Sequence, residues 1–313
     1  MNRQRHLQGL IAAGFTPFQS SGSVDLDTIP SLVEHLIANG CTGIYACGST
    51  GEGPLLTSEE RRAIAEAYIQ SIAGRVPVFI QVGHNSVEES AALAAHAAEN
   101  GADYISACAP GYFRPDTVSS LVDCMTEIAA AAPHTPFYYY HIPRFTGTDL
   151  DMVEFLRQCD TKLPSLAGIK YSDLKLFEFQ ACCEYRDGHY DMLWGCDEML
   201  LAALATGAKA AIGSTYNFAA PVYHEVIRSF DVGNLKNAQA HMFRAVQLVN
   251  LLNGKHGPIH ACMKAVMEMI GLPCGDIRLP MKPLSIEKKQ ALKTDLIDLG
   301  FFEWIDSTAS SRQ

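Results

Sequence analysis

Short β-rich apolar runs alternate along the chain with helical stretches at a spacing of roughly 25–35 residues, the rhythm of repeated β–α units on a parallel sheet. The pattern predicts strands at Leu10–Phe15, Gly43–Cys47, Val78–Val82, Tyr104–Ala109, Phe137–His141, Leu166–Lys170, Met192–Gly195 and Lys209–Ser214. Eight is the number that closes a barrel. The intervening helices mark their own ends. Thr57-Ser58-Glu59-Glu60 is a capping box ahead of a helix over Arg61–Ala73, and Asp149 and Asp151 open a helix that runs through Gln158. Gly40, Gly74, Gly101 and Gly207 stand where helices should stop, each just before a strand.

A closed (β/α)8 TIM barrel takes ~250 residues, so in a chain of 313 the part after Gly233 is surplus. Its periodicity predicts three more helices, Leu235–Leu252, Ile259–Ile270 and Ser285–Leu299. The expected organisation is a barrel over residues 1–232 and a C-terminal helical extension, 233–313, packed on it. The competing doubly wound sheet would carry G-x-G-x-x-G after its first strand, and no such run stands there.

Charge narrows the partners. With 24 Lys+Arg against 34 Asp+Glu and no basic cluster, a nucleic-acid or anionic-membrane surface is excluded, which leaves small solutes. No apolar run approaches the ~18–20 residues of a membrane span. Residues 1–6 imitate the basic start of a secretion signal, but the apolar stretch from Leu10 to Phe15 is too short and runs into Thr16-Pro17-Phe18. The ten cysteines lack C-x-x-C spacing, and Cys47, Cys108 and Cys262 sit in apolar segments, as expected of buried thiols in a reducing compartment such as the cytoplasm. The adjacent Cys182-Cys183 reads as helix packing.

In such a barrel the chemistry sits at the C-terminal strand ends. The second strand ends in Gly48-Ser49-Thr50-Gly51-Glu52-Gly53. Pro54-Leu55 stand where a P-loop has Lys-Ser/Thr, and the run is not G-x-S-x-G, so neither a nucleotide site nor a hydrolase elbow is indicated. A turn with free N–H groups and two hydroxyls suits a carboxylate; a plain helix-capping turn is the alternative. The fifth strand carries Tyr138-Tyr139-Tyr140-His141, and alternation puts Tyr138 and Tyr140 on one face with Tyr140 nearer the mouth. The sixth ends on Lys170 after an apolar run. In water, at a pKa near ~10.4, about 0.04% of that amine is neutral at pH 7; lowering the pKa to about 7 takes roughly 4–5 kcal/mol of differential solvation, within reach of an apolar pocket. A neutral amine there attacks ketones, whereas a lysine snorkelling to solvent is the plain alternative. Gly195-Cys196-Asp197-Glu198 closes the seventh strand, as carboxylates for substrate hydroxyls or as the cap and first turn of a helix over Met199–Ala205. Gly213-Ser214-Thr215 closes the eighth. Metal-ligand spacing such as H-E-x-x-H is missing, and the isolated His84, His134 and His260 read as surface or packing residues.

Taken together, Gly48-Ser49-Thr50-Gly51-Glu52, Tyr140-x-x-Pro143, Gly168-Ile169-Lys170 and Gly213-Ser214 resemble the pyruvate-dependent class I aldolases of the dihydrodipicolinate synthase and N-acetylneuraminate lyase family, over Leu10 to about Pro280. The resemblance implies Lys170 as Schiff-base lysine, Tyr140 as proton shuttle with Ser49 in the relay, Ser49 and Thr50 on the substrate carboxylate, and no metal or organic cofactor. Pro136–Pro143, Gly213–Asn217 and Arg278-Leu279-Pro280 look like the sialic acid lyase branch, especially its animal-type members. That branch implies reversible cleavage of N-acetylneuraminate to pyruvate and N-acetylmannosamine, with Gly195, Asp197, Glu198 and Ser214 on the polyhydroxyl tail. Ser172 stands where bacterial lyases have threonine. The dihydrodipicolinate synthases carry an arginine two residues after the turn proline; here Phe145 holds that place and Arg144 lies one before it. Tyr112 fits the family's loop tyrosine that enters a neighbouring subunit's site, which implies a homo-oligomer, a tetramer by family habit. An aldolase of 2-keto-3-deoxy sugar acids, a dihydrodipicolinate synthase and a silent keto-acid-binding barrel remain as other readings.

Overall fold

In the computed structural model, which describes residues 6–306, eight parallel strands pair in chain order and the last returns to the first, closing the barrel. They are β1 Gly9–Ala13, β2 Gly43–Ala46, β3 Val78–Gln81, β4 Tyr104–Cys108, β5 Phe137–His141, β6 Leu166–Tyr171, β7 Asp191–Trp194 and β8 Ala210–Gly213. All eight were legible. Their ends shift by a residue or two where the chain leaves the ladder, as at Cys47, whose φ of 59° turns it out after β2. The basic residues 1–5 and the tail 307–313 lie outside the described residues.

Alternation sorts each strand's side chains between two cores. Tyr45, Phe79, Tyr138, Tyr140, Leu193 and Ile212 point inward and fill the barrel; Ile44, Ile80, Tyr139, Ile169, Tyr171 and Trp194 point outward against the helices. Aromatic rings dominate the inner core, with Phe79 stacked on Tyr104 at 4.4 Å and Tyr138 edge-on to Phe79 at 5.2 Å. Below them Asp191 accepts the Tyr138 hydroxyl at 2.9 Å. Between β5 and β6 the register skips one residue after Phe137, and Tyr140 then pairs with Lys170. On the other side of β6, Gly168 leaves room for β7: a Cβ there would stand 1.8 Å from the Asp191 carbonyl oxygen, so β6 and β7 approach closely only without a side chain.

The capping box holds as predicted, with Thr57 accepting from Glu60 N and the Glu60 carboxylate accepting from Thr57 N, and the helix starts directly after it as Ser58–Ile72. Gly40, Gly74, Gly101 and Gly207 all take positive φ at their helix ends. One reading is corrected. Asp151 alone caps the helix Met152–Lys162, accepting from Glu154 N at 2.8 Å, whereas Asp149 lies outside the helix and pairs with Lys175.

Beyond the barrel stand Leu235–Leu252, Ile259–Met269, Ile286–Leu299 and the unpredicted short helix Phe301–Asp306. In Ile259–Met269 every residue from Ala261 to Met267 is buried, Lys264 included, so this helix runs through the packed layer rather than over the surface. Among the described residues no helix is long and apolar enough to cross a membrane.

Candidate active site

The C-terminal ends of β2, β5, β6, β7 and β8 open on one pocket of about 200 Å³. Ser49, Thr50, Tyr140, Lys170, Ser172, Gly195, Asp197, Glu198 and Ser214 all line it. Residues up to 165 positions apart in sequence thus converge because consecutive strands of a closed barrel end on one rim.

Lys170 is 4% exposed. Its Nζ sits 3.8 Å from the ring centres of both Tyr45 and Tyr140. Among the described residues no acceptor hydrogen-bonds it. Burial lowers its pKa from 10.5 to about 7, with the Asp197 carboxylate opposing the shift. A substantial fraction of the amine is therefore unprotonated at neutral pH. Tyr140, its cross-strand neighbour, points its hydroxyl to within 3.4 Å of Ser49 Oγ, and burial raises its pKa well above the usual phenol value, so it stands as a neutral phenol.

The turn after β2 presents donors. Ser49 O accepts from Glu52 N, Gly48 O accepts from Gly53 N, and Gly51 O accepts the Thr16 hydroxyl. The N–H groups of Ser49 and Thr50 have no acceptor among the described residues. Such a turn is a concave seat for an anion. Ser172 Oγ, buried, also lines the pocket within reach of the Tyr140 hydroxyl.

The acidic side of the pocket is more organised than its sequence suggested. Asp197 Oδ2 accepts from Thr215 N at 2.8 Å, Thr215 Oγ1 at 2.7 Å and Ser214 Oγ at 3.3 Å. Burial nonetheless raises its pKa to about 6, opposed by these bonds. Gly213 makes room for the carboxylate: a Cβ there would meet Asp197 Oδ1 at 2.2 Å. Asp197 therefore ties the seventh strand end to the eighth, and Glu198 beside it has no such partners.

Tyr112 is the one predicted site residue outside the pocket of its own chain. It is 78% exposed beside Phe113, 86% exposed, on a loop anchored by Asn85 Oδ1, which accepts from the N–H groups of Gly111 and Tyr112. His84 and His134 are exposed as read. His260 corrects the reading: it lines the pocket with Val249, Asn253, Ile259 and Met263, and its Nε2 lies 3.0 Å from the Ser49 carbonyl. No strand-end rule reaches these residues, since they come from the extension. Arg144 and Phe145 both edge the mouth. A cluster that spacing could not reveal joins His141, at the end of β5, with Asp149 and Asp173 from two separate loops, their ligand atoms within 4.8 Å of one another; the Lys175 ammonium pairs with both carboxylates. Cys182 and Cys183 are free thiols within a helix, Cys182 fully buried.

A closed eight-stranded barrel whose mouth holds a desolvated lysine beside a tyrosine and a turn with unpaired backbone N–H groups defines a class I aldolase, a carbon–carbon lyase. The chain belongs to the dihydrodipicolinate synthetase family, whose sequence profile matches residues 6–298. Its relatives include the N-acetylneuraminate lyase of Xenopus tropicalis, 36% identical over 299 residues that cover 94% of this chain and 97% of that protein. The N-acetylneuraminate lyase of Homo sapiens is 36% identical over 307 residues, 97% of this chain and 96% of the other. Among solved structures, the N-acetylneuraminate lyase (sialic acid aldolase) of Aliivibrio salmonicida superposes with a TM-score of 0.92 at 39% identity, covering 95% of this chain and 98% of that one.

Proposed function

We propose that the protein reversibly cleaves N-acetylneuraminate to pyruvate and N-acetylmannosamine through a covalent Schiff base on Lys170. The observation that carries the reading is the lowered pKa and open position of the Lys170 amine, between the rings of Tyr45 and Tyr140 and beside the unpaired N–H groups of Ser49 and Thr50. Those N–H groups and the two hydroxyls hold the substrate carboxylate. The amine adds to the C2 ketone of the open-chain sugar. The carbinolamine hydroxyl then leaves as water with the proton of the Tyr140 phenol, giving an iminium and a Tyr140 phenolate that can accept the next proton. The C4 hydroxyl proton passes to the Tyr140–Ser49 pair as the C3–C4 bond breaks, and the bond's electrons move onto the iminium to give an enamine. N-acetylmannosamine departs as the aldehyde. The stored proton returns to C3, and water hydrolyses the imine to release pyruvate, so no metal or organic cofactor takes part.

Gly195, Glu198 and Ser214 face the polyhydroxyl tail with Asp197 as their organiser, and Ser172 offers its hydroxyl beside Tyr140, next to the reacting carbon. The exposed Tyr112 completes the relay in a neighbouring subunit of a homotetramer. Residues 1–232 supply the barrel and 233–313 the extension. Ten free thiols suit the cytoplasm.

Borohydride reduction in the presence of pyruvate, followed by peptide mass mapping, tests the reading. A reduced pyruvyl adduct on Lys170 is expected, together with pyruvate release from N-acetylneuraminate; an unmodified Lys170 peptide would sink it.

A further inference from the structure

Helix Ile259–Met269 reaches the pocket from outside the barrel, and two of its side chains, one helical turn apart, end on the same turn after β2. His260 Nε2 lies 3.0 Å from the Ser49 carbonyl oxygen, which also accepts from Glu52 N at 3.1 Å within the turn. His260 is thus the one partner this oxygen has from outside the turn among the described residues. A carbonyl only accepts, so the ring donates, which places the hydrogen of the neutral imidazole on Nε2. Burial holds the His260 pKa below its ordinary value, with the Ser49 contact opposing, so the neutral form prevails at pH 7. Lys264 Nζ lies 2.8 Å from Glu52 Oε1, and the N–H of Arg278 donates to Glu52 Oε2 at 2.9 Å. Glu52 itself stands at φ 56°, a left-handed conformation that a glutamate keeps only where its surroundings hold it.

The consequence follows from the peptide unit. Ser49 C=O and Thr50 N–H belong to one rigid trans plane and point in opposite directions, so whatever holds the carbonyl aims the N–H. The hydroxyl of the same Ser49 lies 3.4 Å from that of Tyr140. We propose that His260 is a positioning residue for keto-acid recognition: by gripping the Ser49 carbonyl it aims the Thr50 N–H at the substrate carboxylate. The C-terminal extension thereby sets the preference for a ketone that bears a neighbouring carboxylate. This rests on the Lys170 Schiff-base reading above.

The test is borohydride trapping on Lys170 as a function of ketone concentration, with pyruvate and its uncharged analogue pyruvamide, in the wild-type protein, His260→Ala and His260→Gln. In His260→Ala, half-maximal trapping should need about ten-fold more pyruvate, the scale of one lost hydrogen bond to a charged group, while the pyruvamide curve moves less than about two-fold. His260→Gln, which keeps an N–H at that reach, should recover most of the pyruvate preference. His260→Asn, polar but one methylene short, repeats the test if the alanine variant does not fold. An unchanged pyruvate curve, a parallel shift for both ketones, or no recovery by glutamine would overturn the proposal. Absence of any adduct in the wild-type protein would instead overturn the Schiff-base reading, and this inference with it.

Discussion

Two lysines are buried in this protein to almost the same degree, Lys170 at 4% exposure in the barrel mouth and Lys264 at 3% in the helical extension. Burial lowers the pKa of both, and both lie against aromatic rings. Their partners differ. Lys264 faces the Glu52 carboxylate at 2.8 Å and donates to the Asp276 carbonyl at 3.0 Å. Lys170 lies against the faces of Tyr45 and Tyr140, hydrogen-bonds no acceptor among the described residues, and feels the Asp197 carboxylate only through space. A buried ammonium with a carboxylate and an acceptor is a structural cation. One without a hydrogen-bonded acceptor gives up its proton more readily, as the proposed Schiff-base role of Lys170 requires. Burial thus selects neither lysine; the acceptors around it do.

The sharpest way to break this contrast is to delete each amine. Lys170→Met should reduce pyruvate release from N-acetylneuraminate by at least about 10⁴-fold, since the nucleophile is gone, with the protein still folded by circular dichroism. Residual turnover within ten-fold of wild type would show that the amine is not the nucleophile. Lys264→Met should cost about 3–5 kcal/mol of stability in denaturant melts, because Glu52 is left as an uncompensated buried charge, and adding Glu52→Gln should recover much of it. Lys170→Met should do the reverse. The Lys170 pKa is about 7 when folded against the ordinary 10.5, so the unfolded chain binds the proton more tightly. Wild-type stability therefore rises with pH between about 7 and 10.5. The methionine variant should gain up to about 4 kcal/mol near pH 7 and nothing near pH 10.5.

Smaller effects sharpen the picture of the site. Glu198→Ala should lower kcat/KM for N-acetylneuraminate by about 10–100-fold while pyruvate trapping on Lys170 changes less than about two-fold. Equal losses in both assays would remove Glu198 from the tail-binding side. Asp197 is the poorer probe, because its removal also releases Ser214 and Thr215. The rate of trapping at low pyruvate should climb about ten-fold per pH unit below 7 and level off above it, following the neutral amine. A profile that keeps climbing to pH 10 would place the Lys170 pKa with that of an ordinary lysine.

Much of this was readable along the chain. Strand alternation separated Tyr140 from Tyr139, the capping box at Thr57 fixed a helix start, and the apolar run before Lys170 made that lysine conspicuous. Local rules failed where a side chain had two possible partners. Asp149 looks like a cap as much as Asp151 does, and only the approach of Lys175 from the loop after β6 decides between them. Asp197 resembles an N-cap by position, yet its carboxylate is taken up by Ser214 and Thr215, across the gap between β7 and β8. His260 offered no signal at all, being one histidine in an apolar helix.

The sequence by itself determined the eight β–α units, the order of the strand ends and the residue types that stand on them, because periodicity, caps and breakers act within a few residues. Only the tertiary structure decided which of two equally buried lysines is left without a hydrogen-bond acceptor among the described residues, which carboxylate is spoken for, and that a helix beyond the barrel brings a histidine to the turn after β2. Those outcomes depend on distances between groups up to 212 residues apart, and solvent exclusion, which lowers the Lys170 pKa, exists only once the barrel has closed around it.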